Sequence, residues 1–247
     1  MLLTATIDNV SAATPRAALV RVALDGQFPF AAGQAVLVGL HGQPERRPYS
    51  IAVAPAEAAR NGRLEFLMGL GPDGTPGTHL PRAAPGVKVD VEGPFGTFAF
   101  PDSPDARRFL FVAGGSGIAP LRAMVQQALL GDPIWRLALV YSARAPEEFA
   151  FDGELRQLAA AGRLAYYPTT TRQVEDSWVG GRGRISRELL EGALDGPDTL
   201  CFVCGPDALV HDVPRMLRDL GIPPGRIRVE EWVQPRPDGS GVVDEET

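Results

Sequence analysis

The sequence predicts two domains in series. The first, residues 1–101, is a six-stranded antiparallel β-barrel. The second, residues 106–233, is an α/β domain on a five-stranded parallel sheet, and a polar, acidic tail follows at 234–247. Three observations lead there. The first hundred residues hold short strand-like runs separated by Gly, Pro and Asp turns, the rhythm of an antiparallel barrel. Pro101-Asp102-Ser103-Pro104-Asp105 then breaks that rhythm. Beyond it strand-like and helix-like runs alternate, which implies a parallel sheet covered on both faces.

The barrel strands fall at 2–9, 16–24, 33–40, 47–53, 63–69 and 86–92. The last is the clearest: Val87, Val89 and Val91 alternate with Lys88, Asp90 and Glu92, so one face is buried. No long helical pattern competes in this half. In the second half, strands are expected at 108–113, 136–142, 163–168, 199–204 and 226–233, and helices at 119–130, 152–161, 186–193 and 206–220. The tail QPRPDGSGVVDEET is too polar to build a core and reads as a frayed terminus.

Composition excludes several classes. The 247 residues are 45% hydrophobic and 22% charged, ordinary values for a globular protein. With 28 Gly and 23 Pro the chain is rich in turns without reaching the composition of disordered proteins. A net charge of −6 argues against a nucleic-acid surface. No apolar run is long enough to span a bilayer. The start, MLLTATIDNV, has neither a basic segment nor a signal-type apolar stretch, so the expected compartment is cytoplasmic. The two cysteines, Cys201 and Cys204, are too few for an iron–sulfur cluster, which normally takes four; no metal site is expected. On a strand, residues three apart face opposite sides and lie about 10 Å from each other, too far for a disulfide.

Four stretches carry candidate chemistry. In FLFVAGGSGIAPLRAM a buried strand ends in Gly114-Gly115-Ser116-Gly117, Ile118 follows, and Pro120 opens a helix. Such a turn lets backbone approach a ligand and offers a helix N-terminus to a pyrophosphate; a plain tight turn would look the same. Cys204-Gly205-Pro206 ends another strand of the same sheet, at the edge where parallel sheets bind ligands; a lone buried cysteine is more commonly a small hydrophobe. Arg47-Pro48-Tyr49-Ser50 sets a cation, a ring and a hydroxyl at one strand, a set that fits a ligand with a phosphate and an aromatic ring system. The bland alternative for Arg47 is a surface ion pair with Glu45, worth little. Gly77-Thr78 could present N–H groups to a phosphate, or be an ordinary cap.

Taken in order, these stretches resemble the ferredoxin–NADP reductase family of flavoproteins. Arg47-Pro48-Tyr49-Ser50 is similar to its R-x-Y-S, Gly93-Pro94-Phe95-Gly96-Thr97-Phe98 to its G-P-x-G-x-F, Gly114 to Pro120 to its G-G-x-G-I-A-P, and Cys204-Gly205-Pro206 to its C-G-P. Gly77-Thr78 matches a G-x-x-S/T motif loosely, and Phe30 to Gln34 matches F-x-x-G-Q. The resemblance spans about residues 2 to 233. It departs at Met68-Gly69-Leu70, where many members carry a basic residue, and at the short spacing after Thr78.

The resemblance implies an FAD barrel followed by an NAD(P) domain, and hydride transfer from nicotinamide C4 to flavin N5 with electrons then passed onward. It implies that Arg47 holds the FAD pyrophosphate, that Tyr49 packs on the isoalloxazine, and that Ser50 and Cys204 flank the nicotinamide. Glu230-Glu231-Trp232 resembles the family's acid-plus-aromatic ending, with Trp232 either shielding the flavin or packing in the core. For the nucleotide, Ser142 and Arg144 end the second strand of the parallel sheet, where an acid would select NADH. Arg172, in a stretch similar to the family's Y-Y-P-x-x-T-R, and Arg182 and Arg184 add cations suited to the 2′-phosphate of NADPH. Glu147 and Glu148 keep NADH open. The expected acceptor is a ferredoxin, a flavodoxin or an oxygenase component. Competing functions are the reductase subunit of a multisubunit complex, an NAD(P)H:flavin reductase, and a non-catalytic nucleotide-binding subunit, since fold alone does not fix function.

Overall fold

The computed structural model describes residues 1–77, 80, 83–172 and 175–231; the tail at 234–247 lies outside them. The chain forms two six-stranded sheets. The first holds β1 (Leu2–Thr14), β2 (Ala17–Leu24), β3 (Ala35–Leu40), β4 (Arg47–Ser50), β5 (Arg63–Gly69) and β6 (Lys88–Phe95), in the order β4-β3-β6-β1-β2-β5. Its pairings are antiparallel. The two outer strands meet through a bridge between Ile51 and Phe66, and the Ala52 N–H donates to Glu65 O at 2.8 Å. The sheet therefore closes on itself and leaves no free edge there. One element was not visible in the sequence pattern: α1 (Pro55–Asn61), seven residues started by Pro55 and stopped at Gly62 with φ +64°.

The alternation in β6 is broken once. Val89 and Val91 are fully buried, but so is most of Asp90. Its carboxylate accepts from the Gly42 N–H at 3.1 Å and from the Thr4 hydroxyl at 3.2 Å, and lies 2.8 Å from His41 Nδ1. A buried acid is tolerated when it is bonded in this way. Here the bonds pin the loop that leads into Arg46 and Arg47.

The second sheet holds β7 (Arg108–Gly114), β8 (Arg136–Ala143), β9 (Ala165–Thr170), β10 (Gly181–Arg182), β11 (Leu200–Gly205) and β12 (Ile227–Glu231), all parallel, in the order β10-β9-β8-β7-β11-β12. It has six strands, not the five expected. The extra strand, β10, is two residues long and pairs Gly181 with Thr169 and Arg182 with Thr170. A glycine-rich pair has no apolar run to betray it. Four helices join these strands: α2 (Ile118–Ala128), α3 (Asp152–Ala160), α4 (Arg187–Ala193) and α5 (Asp207–Asp219). The chain leaves β7 toward β8 and β9 on one side and returns to β11 and β12 on the other. The direction of winding reverses between β7 and β11, and ligands of such sheets bind at that crevice, beyond the strands' carboxyl ends.

The two sheets share an apolar interface. Phe98 and Phe100, just past β6, enter the core of the second sheet. Phe98 meets Phe202 edge-on at 6.0 Å, and Phe100 lies 5.1 Å from Phe109. Phe111 and Phe202 stack at 5.5 Å beneath them. Ala32, Ala52 and Leu67 of the barrel belong to the same buried cluster. Gly33 sits at φ +108°, and a Cβ there would lie 2.3 Å from Met124 Cε and 2.6 Å from Phe98 O. Only glycine fits where α2 presses on the barrel.

Candidate active site

The crevice at the reversal point is made by two chain segments in backbone contact. After β7 the turn Gly115–Gly117 runs straight into α2. After β11 comes Pro206, then α5. A Cβ on Gly117 would lie 2.3 Å from Cys204 O; one on Gly205 would lie 3.0 Å from the Gly114 backbone; one on Gly114 would lie 2.8 Å from Pro206 Cδ. Three of the glycines are thus needed to pack one strand end on the other. Gly115 differs: its φ is +53° and nothing lies within 4 Å of its Cβ position. With Ser116 and Pro206 it is exposed and lines the open side. Neither α2 nor α5 has a capping side chain at its N-terminus. The Ile118 N–H already bonds Gly115 O and Ser116 O, so at α2 an anion would be met by the turn Gly115–Gly117 that precedes it. At α5 the Leu209 and Val210 N–H groups bond Pro206 O, and Asp207 stands in the first turn.

Tyr141, fully buried at the end of β8, fixes the turn from below. Its hydroxyl donates to Gly115 O at 3.0 Å and accepts from the Ala150 N–H at 3.3 Å. The sequence pattern placed Tyr141 on a strand but offered no sign of this role.

Cys204 and Cys201 face opposite sides of the sheet, in different buried clusters, and both thiols are free. Cys204 pairs in register with Glu230 on β12, and its thiol donates to Glu230 Oε2 at 3.6 Å. Burial pushes the Glu230 carboxyl up to about 7, and the thiol's bond only partly offsets this. The Cys204 thiol is pushed well above its ordinary range by burial and then by Glu230. Cys204 is therefore a neutral thiol and not a thiolate. Trp232 lies outside the described residues.

The consequence for Glu230 is a pH effect of definite sign. Between its ordinary pKa of 4.5 and about 7, the folded chain holds a proton that the unfolded chain has released. Stability is greatest below that window and falls as pH rises through it. The difference corresponds to about 3 kcal/mol. Thermal unfolding of wild type should lose stability from pH 5 to 8, whereas Glu230→Gln should be nearly flat. Equal pH slopes in the two proteins would contradict this assignment.

At the barrel side, β4 carries the predicted set. Arg47 is part-exposed and lies 3.0 Å from Glu45, itself exposed. Pro48 is exposed, while Tyr49 and Ser50 are buried. The Tyr49 ring belongs to the barrel core and tilts against Phe66 at 6.4 Å; burial pushes its hydroxyl up to about 12, against the pull of Arg47. Ser50 sits opposite Ala35 on β3, which in turn faces Phe95 on β6. Gln34 locks this corner, accepting from the Ala31 N–H at 2.8 Å and donating to Gly96 O at 3.0 Å. The Met68 side chain is fully buried in the barrel core, so only its backbone can face a ligand. Gly77 has φ +63°, and its N–H donates to Gly69 O at 2.9 Å. Thr78 lies outside the described residues.

The predicted nucleotide-selecting residues gather at the carboxyl ends of β8, β9 and β10. The Arg172 N–H donates to Arg144 O at 3.0 Å, which sets the two side by side. Both are exposed, as are Arg182 and Arg184. The Arg182 guanidinium donates to Glu175 O at 3.1 Å. Ser142, opposite Gly114 on β7, lies between this group and the glycine turn. Of the two acids that favour NADH, Glu148 is bonded to Arg16 of the barrel at 2.7 Å, which leaves Glu147.

The glycine turn and exposed arginines of the second sheet, with Arg47 on the first, are the groups expected of a chain that binds two nucleotides, one on each sheet. Comparison with known proteins agrees. The oxidoreductase FAD-binding domain matches residues 5–100, and the oxidoreductase NAD-binding domain matches residues 111–215. Ferredoxin–NADP reductase B of Sorangium cellulosum is 33% identical over 219 residues, covering 84% of this chain and 88% of that protein. The chain belongs to the ferredoxin–NADP reductase family. It is an FAD-dependent NAD(P)H oxidoreductase. One component of the Na(+)-translocating NADH-quinone reductase of Klebsiella pneumoniae is 32% identical over 203 residues, which cover 77% of this chain and only 49% of that protein. Among solved structures, the cytochrome P450 reductase of Amycolatopsis superposes with a TM-score of 0.82 at 26% identity, over 94% of this chain and 69% of that one. Among the described residues no helix is long and apolar enough to cross a membrane, and no group of three His, Cys, Asp or Glu side chains could hold a metal.

Proposed function

We propose that this reductase oxidises NADPH in preference to NADH and delivers the electrons to a ferredoxin- or flavodoxin-type protein. The observation that carries the nucleotide preference is the cluster of Arg144, Arg172 and Arg182 at adjoining strand ends, with Glu148 drawn away by Arg16. When bound, FAD supplies the ring that accepts a hydride at N5 and releases electrons onward. The chain's own residues do the rest. Arg47 holds the FAD pyrophosphate, with the backbone at Met68 and Gly77 beside it. Gly115, Ser116 and Gly117 hold the NADPH pyrophosphate, while Ser142, Arg144, Arg172, Arg182 and Arg184 select its 2′-phosphate. Ser50, from the barrel, and Cys204, from the second sheet, bound the space for the nicotinamide and exclude water from it. Glu230 keeps the Cys204 thiol oriented. The working units are residues 1–101 and 106–233, with 234–247 as a tail. A second reading, the reductase component of an oxygenase, is favoured by the likeness to the Amycolatopsis protein; the two cysteines of these residues are too few to hold a cluster themselves.

Each charge-assisted bond to the 2′-phosphate contributes about 1.5–3 kcal/mol, roughly ten- to a hundredfold in affinity. Arg144→Ala and Arg172→Ala should each raise KM for NADPH by that factor and leave NADH kinetics nearly unchanged. Equal losses with both nucleotides, or a wild type that favours NADH, would reject the preference.

A further inference from the structure

Arg122 on α2 is the most heavily engaged charge at the contact between the sheets, and no part of the nucleotide sites uses it. Its side chain is only 11% exposed. One guanidinium nitrogen donates both to Ala52 O at 2.6 Å and to Glu65 at 2.7 Å, in the barrel; Nε donates to Glu154 on α3 at 2.7 Å. The guanidinium also lies 4.3 Å from the centre of the Phe151 ring. Phe151 is the one non-glycine residue with positive φ among those described, at +62°, a conformation that costs free energy and persists only when its surroundings enforce it. One helical turn on, Gln126 repeats the pattern: it accepts from the Ala54 N–H at 2.9 Å and donates to Glu154 at 2.9 Å.

The places these bonds reach are specific. Ala52 is two residues past Ser50, on the segment that closes the barrel. The helix that carries Arg122 and Gln126 begins where the glycine turn ends, and β5, which bears Glu65, runs within 8 Å of that turn. Arg122 therefore connects the strand holding one ring's neighbour to the turn holding the other's. The interface does not need it merely to hold together, because the phenylalanine cluster and the Arg16–Glu148 pair span the same contact elsewhere.

We propose that Arg122, with Gln126, is a positioning residue for hydride transfer: it sets the distance and angle between the Ser50 strand and the NAD(P) turn, and so the overlap of the two reacting rings. This rests on the reading that Ser50 and Cys204 bound the nicotinamide. Misplacement by about 1 Å can cost on the order of a hundredfold in rate, so the effect should appear in the transfer step and not in binding.

The test compares wild type, Arg122→Lys, Arg122→Met and Gln126→Leu by anaerobic rapid mixing with NADPH. FAD content, NADP+ affinity and the long-wavelength absorbance of stacked nicotinamide and flavin are measured beside the rate. Arg122→Met should fold, because Glu65 keeps Arg21 at 2.6 Å and Glu154 is part-exposed. It should retain FAD and bind NADP+ within about threefold of wild type, yet lose the stacking absorbance and transfer hydride at least tenfold more slowly. Arg122→Lys should recover part of both. If Arg122→Met fails to fold, Gln126→Leu and Arg122→Lys decide, with a several-fold slower transfer at full flavin content supporting the proposal. Unchanged rate and stacking absorbance in the soluble variants would overturn it. A wild type that holds FAD but is not reduced by NADPH would instead overturn the reading of the site, and the proposal with it.

Discussion

Gly117→Ala should slow hydride transfer about a hundredfold while leaving FAD bound. The added Cβ would lie 2.3 Å from Cys204 O, 2.6 Å from Cys204 C and 2.8 Å from Gly205 N. These are backbone atoms of a central strand, held by β7 and β12 on either side, so they cannot swing aside as a side-chain tip would. The turn and the Cys204 strand end must part instead. Overpacking of this kind costs about 1–3 kcal/mol of stability. The catalytic loss is separate from this, because the displacement falls at the crevice itself and about 1 Å there is worth on the order of a hundredfold. Gly115→Ala is the control. Its Cβ would meet no chain atom within 4 Å and would sit on a left-handed backbone at φ +53°, which costs about 1–2 kcal/mol. Because it faces the pyrophosphate side, it should weaken NADPH binding and leave the transfer rate at saturating NADPH near wild type. Rapid-mixing rates for the two variants, with flavin content measured alongside, give the answer. A Gly117→Ala protein as fast as wild type would mean that the contact between the two strand ends does not shape the site.

The second large effect is expected at Arg47. Its ion pair with Glu45 joins two exposed side chains, and such pairs contribute less than about 1 kcal/mol. Glu45 can therefore yield to a pyrophosphate at little cost. A hydrogen bond to a charged phosphate is worth about 1.5–3 kcal/mol, so Arg47→Ala should weaken FAD binding tenfold or more. Arg47→Lys should recover only part, since lysine keeps the charge and loses the planar fork. Glu45→Gln should bind FAD at least as well as wild type. Equilibrium titration of the stripped proteins with FAD distinguishes these cases, and an Arg47→Ala variant with unaltered affinity would remove Arg47 from the flavin site.

What the residues disclosed by themselves follows from which interactions leave a periodic mark. All six barrel strands were legible because Val89 and Val91, or Leu64 and Phe66, point inward with a period of two. The five longer strands of the second half were legible instead as unbroken apolar runs, buried on both faces as in β7 and β11, and its four helices as the segments between them. The strand Gly181–Arg182 was not, because pairing through backbone alone leaves no pattern in side chains. Asp90 broke its strand's alternation because a polar clamp on the loop before Arg47 outweighed the pattern. The glycine turn was legible as a motif. Its physical reason was only half visible: Gly114, Gly117 and Gly205 serve strand-to-strand contact, and Gly115 alone leaves open space. Tyr141 and Arg122 act through neighbours distant in sequence, Ala150 and Gly115 for one, Ala52 and Glu65 for the other. Arg122 did leave a trace. It is a charge inside the apolar stretch IAPLRAMV, with a glutamine four residues on along the same helix face.

One chain is proposed to bind FAD on its barrel and to receive a hydride there from NADPH. The most direct measurement is the visible spectrum of the purified protein, recorded anaerobically while NADPH is added and, separately, NADH. The protein should be yellow with one FAD per chain, bleached by a single equivalent of NADPH and only at higher concentration by NADH. A colourless protein that consumes NADPH only when free flavin is supplied would make it a flavin reductase, and a yellow protein that neither nucleotide bleaches would contradict the claim outright.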